Sequence, residues 1–104
     1  MRALRILAEA ADEVVEAVAW YEWQSPGLGA EFERAVEAAL DLLEEEMIPL
    51  TVIPGVSGQR GAKRLILKRF PYDVVVYERN DELLVVAFAH QSRRPGYWRS
   101  RLHI

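Results

Sequence analysis

Apolar positions along the chain change their period near its middle, from the three-to-four spacing of helices to the short continuous runs of strands. Ahead of the helical part, Arg2 to Ala8 predicts a short strand, with Leu4, Ile6 and Ala8 alternating with Ala3, Arg5 and Leu7. Its modest apolar content suits an edge or a place beside a longer strand. Glu9 to Trp23 predicts a helix: Val14, Val18 and Tyr21 fall at i, i+4 and i+7, and Ala10, Ala11 and Ala17 widen the stripe. Asp12 and Glu13 are expected in its first turn, where negative charge meets the positive end of the helix dipole. Gln24-Ser25-Pro26-Gly27 breaks the pattern, because proline disfavours helical geometry before it and glycine tolerates positive φ.

Leu28 to Met47 carries the strongest periodicity. Phe32, Val36, Leu40 and Leu43 recur on one face, while Glu31, Glu37, Asp41, Glu44 and Glu45 occupy others. Two amphipathic helices with so short a break predict an antiparallel helical hairpin. Glu44-Glu45-Glu46 near the helix C-terminus opposes the dipole and calls for something basic to offset it. Pro49 and Pro54-Gly55 punctuate a polar connection to about Gly61, the kind of loop that meets partners. Arg64 to Phe70, Asp73 to Glu78 and Leu83 to His90 then predict three strands, linked by Phe70-Pro71-Tyr72 and by Arg79-Asn80-Asp81-Glu82. Links this short join only antiparallel neighbours. The expected fold is α+β, β-α-α-β-β-β, with the helical hairpin packed on one face of a small antiparallel sheet.

Composition narrows the picture. With 104 residues, about half apolar and just over a quarter charged, residues 1–104 suit one globular domain with its own core and exclude disorder for the bulk of the chain. The absence of cysteine removes disulfides, thiolate catalysis and cysteine-held metal. The apolar burst at Leu4 and Ile6 to Ala8 is too short for a secretory leader, and no stretch approaches the roughly 18 apolar residues of a membrane span. A cytoplasmic protein without membrane contact is expected. The net charge of −3 conceals an asymmetry: residues 1–52 hold three basic and twelve acidic side chains, giving −9, and residues 53–104 hold ten basic and four acidic, giving +6. Such a split fits either an anionic partner for the basic half or acidic helices that neutralise a basic sheet within one fold.

The basic residues fall into groups. Arg60, Lys63, Arg64, Lys68 and Arg69 surround the first strand of the trio, and Arg93, Arg94, Arg99 and Arg101 follow the last. Tyr72, Tyr97 and Trp98 lie among them. Cations interleaved with aromatic rings suit single-stranded nucleic acid, where arginine holds phosphate and rings stack on bases. They suit an acidic protein surface equally well. His90, at the end of a strand and three residues before Arg93, fits a general acid or base beside a cation; it fits a local hydrogen bond at a sheet edge too. Two histidines without cysteine or paired spacing give no metal site, and no phosphate-cradling glycine loop or nucleophile elbow is present, so neither cofactor nor metal is expected. Trp20 and Trp23 are either packing residues or an exposed interaction edge.

Three segments, taken in order, carry a resemblance. Ala17-Val18-Ala19-Trp20-Tyr21-Glu22 followed by Gly27-Leu28-Gly29-Ala30-Glu31-Phe32, then Arg64 to Tyr72 with its Arg-Phe-Pro-Tyr core, and then His90-Gln91-Ser92-Arg93-Arg94-Pro95-Gly96-Tyr97-Trp98 resemble the RelE/ParE toxin superfamily of type II toxin–antitoxin modules over roughly Leu4 to Arg101. The resemblance implies a toxin neutralised by a cognate antitoxin whose acidic segment docks on the basic sheet face, at Arg64, Lys68, Arg69, Tyr72, Arg93, Arg94, Tyr97 and Trp98. RelE-like members cleave mRNA on the ribosome without metal; here that implies a cluster of Arg64, His90, Arg93 and Tyr97. ParE-like members inhibit DNA gyrase instead. Asp73 stands where nucleases of the family tend to carry arginine, and a carboxylate there would repel a scissile phosphate. With Pro95 ahead of Tyr97-Trp98, the tail resembles the ParE-like plasmid stabilisation group more closely, although members of the family are usually basic and this chain is acidic overall.

Overall fold

The computed structural model describes residues 3–46, 49–55 and 61–102. Strand β1 (Ala3–Ile6) leads into helix α1 (Ala8–Gln24), and α2 (Leu28–Glu44) returns antiparallel to it. The hairpin closes tightly for two local reasons. Gly27, at the cap of α2, has φ of 89°, a left-handed conformation that glycine adopts without a Cβ penalty. Gly29 lies against α1: a Cβ there would stand 2.6 Å from the Val18 carbonyl oxygen, so any larger residue would push the helices apart. The Glu22 carboxylate, at the end of α1, accepts hydrogen bonds from the Gly27 and Gly29 amides and so supplies negative charge to the positive end of α2.

The chain then forms β2 (Thr51–Val52), β3 (Ala62–Ile66), β4 (Tyr72–Arg79) and β5 (Glu82–His90), followed by a tail that ends in a 3-10 turn at Arg99–Arg101. The sheet order is β1-β5-β4-β3-β2. The α+β order of elements is as expected, but the sheet is mixed: β1 runs parallel to β5, with Leu4 opposite Leu83 and Ile6 opposite Val85. Since β3, β4 and β5 alternate in direction, β1 runs parallel to β3 as well and antiparallel to β4. β2 is an additional short strand, paired to β3. Lys68 and Arg69 leave the sheet, because Pro71 closes a tight turn in which the Tyr72 amide donates to the Phe70 carbonyl. Tyr72 consequently begins β4 instead of belonging to the turn.

Within the helices, Glu9 occupies the first turn of α1; Asp12 and Glu13 lie beyond it. No basic residue lies in the last turn of α2 to offset its glutamates. Arg2, Met47, Arg60 and His103 lie outside the described residues.

The sheet is covered on both faces. Against the helices, Tyr21, Phe32, Val36 and Leu43 meet Leu65, Phe70, Val74, Val76, Leu83, Val85 and Phe88. The rings of Tyr21, Phe32 and Phe70 pack pairwise at 5.1 Å between centroids, the separation at which tilted and edge-on aromatic pairs attract. On the outer face, Ala62, Val75, Val86 and Ala87 are closed over by Trp98 of the tail, only 4% exposed. A bulge between Val75 and Val76 lets Val86 and Ala87 both face outward beneath it.

Candidate functional site

The tail folds back over the end of the sheet where β3, β4 and β5 bring polar residues side by side. Arg64 on β3 and Asp73 on β4 share the outer face, with Arg64 Nη1 3.6 Å from Asp73 Oδ2. Asp73 also accepts from Gln91 Nε2 at 3.1 Å. The Arg64 Nε is buried without a hydrogen-bond partner among the described residues, so its guanidinium is held by one long ion pair. Asp73 thus cancels much of the charge that Arg64 would offer an anion.

His90 ends β5 opposite Tyr72, whose ring it meets edge-on at 5.0 Å. Its Nδ1 accepts from the Ser92 amide at 3.0 Å and lies 2.7 Å from Ser92 Oγ. An acceptor at Nδ1 assigns the proton of the neutral ring to Nε2. The Arg93 amide donates to the His90 carbonyl and the Gln91 amide to the Pro71 carbonyl, which fastens the start of the tail.

Arg93 lies over the Tyr97 ring, its guanidinium carbon 3.9 Å from the centroid. The Tyr97 hydroxyl donates to Glu13 of α1. Glu13 also accepts from the Phe88 amide at 3.0 Å and from Arg101 Nη1 and Nη2 at 2.9 and 3.1 Å. Arg101 Nη1 donates further to the Val86 carbonyl. Carboxylate and guanidinium are only 13 and 16% exposed, so this knot is largely desolvated and its members depend on one another. Burial, and then the hydrogen bond to Glu13, hold the Tyr97 hydroxyl well above the ordinary tyrosine value, whereas Arg101 is raised first by its hydrogen bond to Glu13, against the lowering effect of burial. At neutral pH Tyr97 keeps its proton and donates it to a fixed acceptor.

Two adjoining clefts share His90, Arg93 and Tyr97. One, of about 220 Å³, lies between α1 and the sheet end and is walled by Ala17, Trp20, Tyr72 and Phe88, with Glu13 and Glu16 at its side. The other, of about 110 Å³, lies on the outer face and includes Arg64, Asp73, Arg94 and Trp98. Arg64, His90, Arg93 and Tyr97 therefore converge, and Arg94 joins them. Trp98 reaches the cleft from the core. Lys68 and Arg69 do not: Arg69 pairs with Glu31 of α2 and covers Phe70, on the helical side of the molecule. Glu13 and Arg101 carry the knot, and neither was picked out as a site residue from sequence. A signal for Glu13 was present, since it falls between Ala10 and Ala17 of the buried stripe, three residues after one and four before the other. Arg101 gave none, being one of several arginines in the tail.

Among the described residues, no group of three or more His, Asp or Glu side chains is placed to hold a metal ion, and no helix is long and apolar enough to cross a membrane. As arranged, the site offers exposed cations on a rigid aromatic support.

By sequence, the chain matches no family model and no curated protein. By structure, it is similar to a chain of the chromosomal ParDE TA system from P. aeruginosa, with a TM-score of 0.71 and 17% identity over 86% of this chain and 96% of that one. The two share a fold, which in this chain is a pair of helices on a five-stranded mixed sheet.

Proposed function

We propose that this chain is the toxin of a type II toxin–antitoxin module, ParE-like in action: it binds and inhibits an essential target such as DNA gyrase, and a cognate antitoxin neutralises it by laying an acidic segment across Arg93 and Arg94. The observation that carries this reading is the commitment of the proton-handling groups. Tyr97 donates to Glu13, His90 Nδ1 is engaged by Ser92, and Arg64 faces Asp73, whereas Arg93 and Arg94 remain exposed on the tail. Binding an acidic surface needs only the exposed cations, and the aromatic support beneath Arg93 limits the entropy it loses on contact. Supercoiling by purified gyrase tests the reading: inhibition is expected with the wild-type chain, is lost in Arg93→Ala, and is relieved by the antitoxin. Undiminished supercoiling at stoichiometric excess removes gyrase as the target.

One observation favours a second reading, a RelE-like ribosome-dependent mRNA endonuclease: Arg64, His90, Arg93 and Tyr97 line one cleft. It predicts translation-dependent transcript cuts that vanish in Arg93→Ala and weaken in His90→Ala. Induction without growth arrest, in the absence of the antitoxin, would instead mark a chain that retains antitoxin binding alone, as a regulator.

A further inference from the structure

The outward surface of α1 touches the tail site only at Glu16 and Trp20, which line the larger cleft, and it has no cover within the described fold. Val15, Trp20 and Trp23 are 67, 57 and 86% exposed, whereas α2 buries Phe32, Val36 and Leu43. Both helices are 17 residues long, so the difference lies in placement and not in length. Val15, Ala19 and Trp23 follow one another at i, i+4 and i+8, which aligns them along one side of the helix. Alanine at the centre of that line leaves room for a second helix to approach closely. Large aromatic side chains left in water on a regular stripe are the mark of a contact surface.

Charge states what can cover it. The helix carries five acidic residues and no lysine or arginine. Glu13 is turned inward and Glu22 caps α2, leaving Glu9, Asp12 and Glu16 exposed beside the stripe. None of these three has an ion-pair partner among the described residues. A second copy would set these carboxylates against its own, and an acidic segment of the kind suited to the tail would be repelled. We propose that this face of α1 docks an amphipathic helix of a partner protein whose apolar stripe is bordered by lysine or arginine. The molecule then presents two surfaces of opposite charge to two different partners, meeting at Trp20, which also walls the larger cleft. This inference stands apart from the toxin reading, because it uses neither the tail cations nor their target.

The test uses the full chain and two synthetic helical peptides, one with a leucine stripe flanked by lysine and one with the lysines replaced by glutamate. The lysine peptide is expected to shift the indole resonances of Trp20 and Trp23, to bind more weakly as salt rises, and to lose about tenfold in affinity to Trp23→Ala. The double variant Asp12→Lys, Glu16→Lys should exchange the preference, rejecting the lysine peptide and accepting the glutamate one; circular dichroism shows that each variant remains folded. Arg93→Ala should bind the lysine peptide as the parent does, even where it abolishes toxicity. Equal binding of both peptides, resonance shifts confined to the tail, or concentration-dependent dimerisation through α1 would each overturn the proposal.

Discussion

The two faces of the sheet are covered by different means. The inner face is buried by two whole helices, and its core holds Phe32 and Leu43, neither with any exposed surface. The outer face is closed by a short tail whose apolar anchor is Trp98 and whose polar anchor is the knot of Glu13, Tyr97 and Arg101. Hydrophobic burial is non-directional and tolerant, whereas the knot depends on each partner being present. The exposed cations sit on the second, more conditional cover. A site that meets changing partners belongs on the part of the fold with the lower local stability.

That contrast can be broken by mutation, and the inner face should give the largest effect. Phe32→Ala should cost about 3–5 kcal/mol, enough to abolish the cooperative urea transition of a domain this small; a loss under 1 kcal/mol would show that the helices are not what secures the sheet. Glu13→Ala should rank next, at about 3 kcal/mol, since it strands Arg101, Tyr97 and the Phe88 amide with little solvent to replace the carboxylate. Its signature is local: hydrogen exchange of the tail amides should accelerate before that of β4. Uniform acceleration across the sheet would mean that the two covers are one cooperative unit.

Alkali separates the covers more gently. Tyr97, Tyr72 and Tyr21 all titrate above the ordinary value of 10, each chiefly through burial. A group whose pKa is raised by folding contributes stability that is complete below its unfolded value and is lost as pH rises past it. Stability at constant salt should therefore carry no tyrosine-dependent slope through neutral pH and fall above about 10, with a smaller fall in Tyr97→Phe. A drop between pH 7 and 9 would point to some other group. Smallest of all, Arg93→Ala should change stability by about 0.5–1 kcal/mol at most, the worth of an exposed cation over a ring, while removing partner binding. A large thermal shift in that variant would move Arg93 from the binding surface into the framework.

Much of this was legible beforehand, and the residues show why. Phe32, Val36 and Leu43 repeat at helical spacing, so their burial follows from local geometry alone. Gly27 after Pro26 announces a left-handed break, and Val74-Val75-Val76 announces a central strand. Tyr97, Arg93 and His90 were recognisable as candidates from their order after the last strand. Their roles were not. Tyr97 reads as a free aromatic until Glu13, 84 residues earlier, takes its proton donor. Asp73 reads as repulsive toward an anion until Arg64 is found 3.6 Å away, and Lys68 reads as a neighbour of Arg64 until β3 is seen to end at Ile66, before it.

The chain by itself determined its helices, its turns and the faces they bury, because those depend on residues within a few positions of one another. The tertiary structure alone decided that β1 lies parallel beside β5, which cations stay exposed, and that α1 presents Trp23 to solvent while turning Glu13 inward. Those outcomes are set by contacts between distant segments, where desolvation and charge pairing depend on a neighbour that no local pattern names.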